Sequence, residues 1–377
     1  MSLDGFNSAA PRLIERLNQF RDFTMAHPRL LTARDELMDA IEGATPGSLV
    51  LVIGPTGVGK TTLRMKVEHL LLQQITTLLK ADPSRLPYVS LEVPPTRTGR
   101  FRWRDYFGRL LVAMNEPLIH SKTVRTSSGT QTLTSSIGGD TDLSFAAEQA
   151  LRYRRPPVVF VDEAQHLARI ASGRRLSDQL DVIKSIANRT GTVHVLLGTY
   201  ELLAFRNLSA QLSRRCLDLH FPRYRADSAS DLQVFQSVLL TFQKHLPCDG
   251  ADLLAMWEFL YERSVGCVGI LKEWLVRACV RSIRHGDTSL TCQHLETTAL
   301  SISQCEKILA ESREGETRLN DTEDSKLRFR TLLGIESHIV AAAQAPPVRS
   351  ANRKNVRLGQ RSPRRDPIRE KGTAVYA

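Results

Sequence analysis

Eight residues constrain this chain more than any others: Gly54-Pro55-Thr56-Gly57-Val58-Gly59-Lys60-Thr61. They follow a buried-strand pattern, Ser48 to Ile53, and open a helical pattern running from about Lys60 to Leu79. A glycine loop at such a junction turns successive backbone N–H groups inward. The helix N-terminus adds positive potential, so the loop is shaped for phosphate. In this pattern Lys60 reaches the β- and γ-phosphates of ATP as a point charge, and the Thr61 hydroxyl ligates Mg2+. Thr62 completes the set of residues expected to contact the nucleotide. The eight-residue pattern alone arises by chance; the strand before it and the helix after it give it meaning.

The rest of the chain alternates strand and helix patterns up to Pro222. Further strands are expected at Tyr88–Val93, Val158–Asp162, Val193–Gly198 and Leu217–Phe221. Helices are expected at Phe101–Met114, Phe145–Tyr153 and Leu176–Asn188, and residues 117–142, rich in Ser, Thr and Gly, read as a flexible loop. The predicted fold class is α/β, a parallel sheet flanked by helices. Upstream, residues 8–43 read as two helices interrupted at His27-Pro28. Downstream, only helical periodicity remains, at Ala229–His245, Ala251–Val265, Ile270–His285 and Thr291–Glu311. A charged stretch, Glu314–Lys326, then precedes a last helical pattern over Leu327–Ala343. The expected organisation is a helical segment at 1–46, a P-loop ATPase domain at 47–225, an all-helical lid at 226–315, a helical extension at 316–344 and a disordered basic tail at 345–377.

Net charge over the 377 residues is +11, with a pI near 9.6. Such a balance favours a polyanionic partner, nucleic acid first. Nine basic and two acidic residues between Arg349 and Lys371 give that stretch +7, leaving +4 for the rest. It holds almost no large apolar side chains, so it cannot build a core; it either holds a partner or simply keeps the chain soluble. No apolar run approaches the roughly 18–20 residues that span a bilayer. The N-terminus lacks a basic region followed by an apolar one. Six cysteines, none in a Cys-x-x-Cys pair, read as reduced thiols. The expectation is a cytoplasmic protein with no membrane contact.

Three more elements carry chemistry. Val158-Val159-Phe160-Val161-Asp162-Glu163 is an apolar strand ending in two carboxylates. Asp162 at its tip would hold magnesium through the water shell, and Glu163 would act as general base on the attacking water. Thr199 ends the strand expected beside the P-loop strand, where it would bond the γ-phosphate or lytic water, or merely cap the strand. Arg214 and Arg215 precede the fifth strand. One of them would reach a neighbouring subunit's ATP as an arginine finger, unless both are ordinary surface charges.

This order of P-loop, Asp-Glu, Thr and Ser213-Arg214-Arg215, followed by helices, resembles the AAA+ ATPases. Within them, Asp162-Glu163-Ala164-Gln165-His166-Leu167, His27-Pro28-Arg29 and Leu197-Gly198-Thr199 resemble the TnsC/TniB transposition regulators, over roughly residues 20–300. The resemblance implies ATP-dependent assembly of a homo-oligomer, ring or helical filament, on double-stranded DNA. It further implies contact with a transposase and with a target-selection protein of the TniQ type. One departure stands out: where many AAA+ lids carry Gly-x-x-Arg, this chain has Gly266-Cys267-Val268-Gly269, with Lys272 one turn later. Either Lys272 takes the arginine's place at the nucleotide or the lid senses it weakly.

Candidate DNA contacts are Arg100, Arg102 and Arg104, interleaved with Phe101 and Trp103, and Lys122 and Arg125 in the Ser/Thr-rich stretch. These residue types contact phosphates without sequence preference; a solvated helix face and a plain loop are the alternatives. Two other functions fit the same motifs: an AAA+ ATPase of helicase loading or replication initiation, and a nucleotide-switch signalling ATPase.

Overall fold

Parallel strands buried on both faces need near-continuous apolar sequence, and three runs in this chain supply it. In the computed structural model these are β1 (Leu49–Ile53), β5 (Val158–Asp162) and β6 (Val193–Gly198), every residue of which is buried. The structure describes residues 11–95, 101–117, 119, 123–126, 129–132, 140–168, 174–206, 216–248, 250–287, 289–320 and 322–335. Two less apolar strands, β2 (Val89–Glu92) and β7 (Cys216–His220), form the edges and are only partly buried. The order is β2-β5-β6-β1-β7, all parallel. β6 therefore lies directly beside the P-loop strand, with Ile53 opposite Gly198.

Helices cover both faces. On one side β1, β2, β5 and β6 pack against α4 (Trp103–Ala113), α5 (Asp140–Arg154) and α7 (Arg174–Thr190). On the other β1, β5, β6 and β7 pack against α2 (Pro28–Glu42) and α3 (Lys60–Ala81). Short pieces, α6 (Gln165–Ala168), a 3-10 turn at Tyr200–Leu202 and α8 (Leu203–Arg206), follow strand ends. A second core joins α9 (Ala229–His245), α10 (Trp257–Ser264), α11 (Val268–His285) and α12 (Cys292–Thr298). Leu17 and Phe20 of α1 (Pro11–Asp22) belong to this helical core, although the sheet intervenes in the chain. α13 (Ile302–Leu319) follows. Contacts divide the chain into Met1–Asn320 and Asp321–Ala377, and in the second unit α14 spans Glu323–Leu332.

Several local expectations are corrected. The flexible loop at 117–142 contains an antiparallel hairpin, β3 (Thr123–Thr126) on β4 (Gly129–Thr132), as β-branched threonines favour. The expected helix Thr291–Glu311 is two helices. Ser301 caps the second through a capping box with Gln304, after Ala299 turns extended. The charged stretch from Glu314 is helical to Leu319, because Glu316 is buried against Arg223 and Arg318 pairs with Glu314 one turn away. Ala251–Val265 is helical only from Trp257, since the Asp252 carboxylate captures the N–H groups of Leu254 and Ala255 in a turn. The expected basic tail at 345–377 lies outside the described residues.

Candidate functional site

The P-loop runs from the end of β1 into α3, at the carboxyl edge of the sheet, where ligands of open α/β sheets bind. Lys60 is buried, and its Nζ donates to the carbonyl oxygens of Gly54 (2.9 Å) and Pro55 (2.8 Å). Burial pushes its pKa down to about 8, against the opposing pull of the Glu163 and Asp162 carboxylates. The ammonium is thus held over the loop by its own carbonyls, within reach of an anion entering the cradle.

Asp162 is buried at the tip of β5. Its Oδ2 accepts from the Thr61 hydroxyl at 3.0 Å and from Arg64 Nε at 3.2 Å, while its Oδ1 accepts the Glu163 N–H at 3.0 Å. A hydroxyl and a carboxylate this close are the hard oxygen pair that suits Mg2+, so the residues fit the ion. Arg64 also pairs with Glu68 and bonds Ser90. It was not singled out by sequence; its place one turn after Lys60, with Glu68 at i+4, was the available signal.

Glu163 has a left-handed backbone, φ +53°, and its side chain accepts from Gln165 Nε2. The Oε1 of the same Gln165 accepts the Thr199 N–H at 3.3 Å. The Thr199 hydroxyl is buried and has no hydrogen-bond partner among the described residues. A buried unpaired hydroxyl is costly, and on a residue that lines the P-loop cavity it is a candidate for a ligand oxygen. Glu163 and Thr199 line one cavity of about 700 Å3 together with Lys60, Thr61 and Thr62.

The helical region closes this cavity. The Ile270 N–H donates to the Gly57 carbonyl at 3.2 Å. A Cβ on Gly269 would fall 2.4 Å from that oxygen, and one on Gly57, at φ +72°, would fall 2.4 Å from the Ile270 side chain. The glycine at 269, which in sequence looked like a departure from Gly-x-x-Arg, is where the lid helix touches the P-loop. Lys272 lines the cavity and donates from Nζ to the Arg21 carbonyl at 2.6 Å; burial lowers its pKa. Arg277 and Arg21 line it too. Sequence reading missed both, since neither lies in a motif; the four-residue spacing Gly269, Glu273, Arg277 along one helix face was the available signal for Arg277.

The N-terminal His27-Pro28-Arg29 staples the helical region in place. His27 Nδ1 caps α2 by accepting from the Leu30 N–H, and it meets the Tyr224 hydroxyl at 2.9 Å. Arg29 pairs with Asp231 and lies 5.0 Å over the Tyr224 ring. Burial lowers the His27 pKa to about 4, keeping the ring neutral as the cap requires.

Of the remaining candidates, the described Arg102 and Arg104 do not line this cavity. Arg102 and Arg104 sit at the start of α4. Phe101 and Trp103 between them turn inward, forming an aromatic cluster with Tyr106 and Phe107 rather than a platform for bases. Arg125 is in the β3–β4 hairpin. Arg100, Lys122, Arg214 and Arg215 lie outside the described residues. Among the described residues Cys248, Cys267, Cys279 and Cys305 are buried thiols and Cys292 is exposed. No described helix is long and apolar enough to cross a membrane.

Residues 44–205, the span from the P-loop strand past Thr199, match the AAA domain family. No curated protein matches the sequence. Among solved structures, the chain is similar to the ORC2 protein of Aeropyrum pernix in its ADPNP-ADP complexes, at 14% identity and TM-score 0.49, covering 77% of this chain and 73% of that one. The ORC1 protein of Aeropyrum pernix in complex with DNA is similar at 16% identity and TM-score 0.49, covering 72% and 63%. A Walker-type ATPase of Pyrococcus abyssi is similar at 15% identity and TM-score 0.41, covering 76% and 75%.

Proposed function

From the premise that the chain carries an AAA domain on an AAA+ fold, we propose that it is an ATPase that uses ATP to assemble on double-stranded DNA. The observation that carries the reading is the convergence of Lys60, Thr61, Glu163, Thr199 and Lys272 on one cavity, with the Thr61 hydroxyl bonded to Asp162. In this reading the backbone of Gly54 to Gly59 cradles the phosphates and Lys60 leaves its carbonyls for the β- and γ-oxygens. Thr61 and Asp162 hold Mg2+, which neutralises charge on the phosphates when bound. Glu163 takes the proton of the attacking water as the bond to the γ-phosphorus forms and the bond to ADP breaks. Thr199 donates its hydroxyl to a γ-oxygen or to that water. Arg214 or Arg215 arrives from a neighbouring subunit, so the site is complete only in an oligomer, and Lys272 takes the lid position.

The biological setting follows from sequence chemistry. The charge of +11, the basic segment from Arg349 to Lys371, and Arg100, Arg102, Arg104, Lys122 and Arg125 suit the phosphates of duplex DNA. The Asp162–Leu167 and His27–Arg29 signatures favour a transposition regulator that links a target-selection protein of the TniQ type to a transposase and disassembles on hydrolysis. A head-to-tail contact that does not close would give a helical filament.

The test is ATP turnover with and without duplex DNA, alongside electron microscopy with a slowly hydrolysed ATP analogue. Turnover that rises with DNA, and ordered assemblies on it that a transposase recognises, support the reading. Stimulation by a replicative helicase instead of a transposase assigns the chain to helicase loading. Monomers and DNA-independent turnover overturn the DNA role and favour a signalling switch. Glu163→Gln should trap assemblies on DNA, and Lys60→Ala should form none.

A further inference from the structure

Gln165 is the first residue of α6, two positions beyond Glu163, and is almost wholly buried, at 3% exposure. A buried carboxamide must satisfy both a donor and an acceptor end. Here both ends go to the site: Nε2 donates to Glu163 Oε2, and Oε1 accepts the Thr199 N–H at 3.3 Å. The orientation of the amide is fixed by chemistry, since a carboxylate can only accept and a backbone N–H can only donate. Glu163 itself is held at a left-handed backbone whose N–H is bonded to Asp162 Oδ1 at 3.0 Å. The adjoining Ala164 N–H donates to the Leu197 carbonyl at 2.9 Å. The tips of β5 and β6 are therefore tied by one backbone bond and one side-chain bridge, and the bridge joins two residues that line the P-loop cavity.

We propose that Gln165 is a positioning residue for hydrolysis, coupling the state of Thr199 to the aim of Glu163; this rests on the ATPase reading above. By occupying one carboxylate oxygen of Glu163, it leaves the other to face the attacking water in a single orientation. When the unpartnered Thr199 hydroxyl takes up a ligand oxygen, movement of the Thr199 backbone is passed through the amide to Glu163. The aim of the base thereby responds to the nucleotide at Thr199, which is the property an assembly timer needs.

The variant that removes both bonds while keeping length and volume is Gln165→Met. Turnover should fall about tenfold or more, with the KM for ATP within twofold of wild type and the thermal melt preserved. In a Glu163→Gln background, where the base is already gone, adding Gln165→Met should change the residual rate by less than twofold. Unchanged turnover, a raised KM with unchanged turnover, or independent multiplication of the two losses would overturn the proposal. A second readout needs no turnover. In protein labelled with 15N-glutamine, the Gln165 side-chain amide, identified by its loss in Gln165→Met, should exchange slowly with solvent and shift in Glu163→Ala. Free exchange and no shift would sink the brace even if the chain hydrolyses ATP. Absence of wild-type turnover with slow exchange would instead sink the ATPase reading and leave the brace standing.

Discussion

Gly315 lies so close to Tyr200 that a Cβ on it would fall 2.0 Å from the ring's Cγ. Tyr200 directly follows Thr199, and its hydroxyl meets His220 Nε2 at 2.9 Å. One residue beyond Gly315, Glu316 takes Arg223 in a buried two-bond ion pair, at 3.0 and 3.3 Å. α13 is thus fixed to the ends of β6 and β7, beside Thr199, which lines the cavity.

Two substitutions test this attachment. Gly315→Ala should cost about 1–3 kcal/mol by overpacking. Glu316→Ala should cost about 3 kcal/mol or more, because it strands a buried guanidinium. Both are read as denaturant midpoints. A Glu316→Ala variant as stable as wild type would show that α13 is not held by this pair.

Lys60 should take up a proton when nucleotide binds at alkaline pH. Its pKa is about 8 without ligand, and a triphosphate beside it favours the charged form. Between about pH 8 and the ordinary lysine value near 10.4, binding therefore consumes protons, and affinity falls as pH rises. Titration calorimetry at pH 8.5 in two buffers of different ionisation enthalpy measures the uptake, which Lys60→Met should abolish.

Thr199→Val should separate stability from activity. The hydroxyl it removes is buried without a partner among the described residues, a group that costs about 1–3 kcal/mol when left unsatisfied. The nucleotide-free variant should melt at or above the wild-type temperature while ATP turnover falls about tenfold or more. A lower melting temperature would mean that the hydroxyl has a structural bond.

Gly269→Ala should lift the lid helix from the P-loop, since its methyl would meet the Gly57 carbonyl at 2.4 Å. Backbone cannot swing aside as a side chain can. Nucleotide affinity should drop about tenfold or more, equivalent to roughly 1.4 kcal/mol, with both cores intact by circular dichroism. Wild-type affinity would show that the lid does not contribute to the site.

Acid should destabilise the chain before its carboxylates titrate. Burial holds His27, His194 and His220 at about 4, below the ordinary value of 6.5. Between those values the unfolded chain binds more protons than the folded one. The stabilisation is thus complete above about pH 6.5 and is lost as pH falls towards 4. Denaturation series from pH 7 to 4.5 should show this slope, and His194→Gln should reduce it by about a third.

Much of the frame was legible in sequence because its signals are local. Leu49–Ile53, Val158–Asp162 and Val193–Gly198 read as strands since buried parallel strands demand near-continuous apolar runs. The P-loop read as a phosphate cradle since glycine placement is a backbone requirement. Where a charged residue finds its partner far along the chain, local reading failed: Glu314–Leu319 looked like a solvated break because Arg223 is invisible from Glu316 in one dimension.

The sequence by itself determined the fold class, the phosphate loop and the carboxylate pair at a strand tip. Each is encoded within a few consecutive residues by hydrophobic run length or backbone freedom. Only the tertiary structure decided that Gln165 spans Glu163 and Thr199, that Arg64 shares Asp162 with Thr61, that Gly269 meets Gly57, and that α1 joins the helical core. Each of these joins positions separated in sequence, and hydrogen bonds and close packing are set by distances in space that no local pattern records.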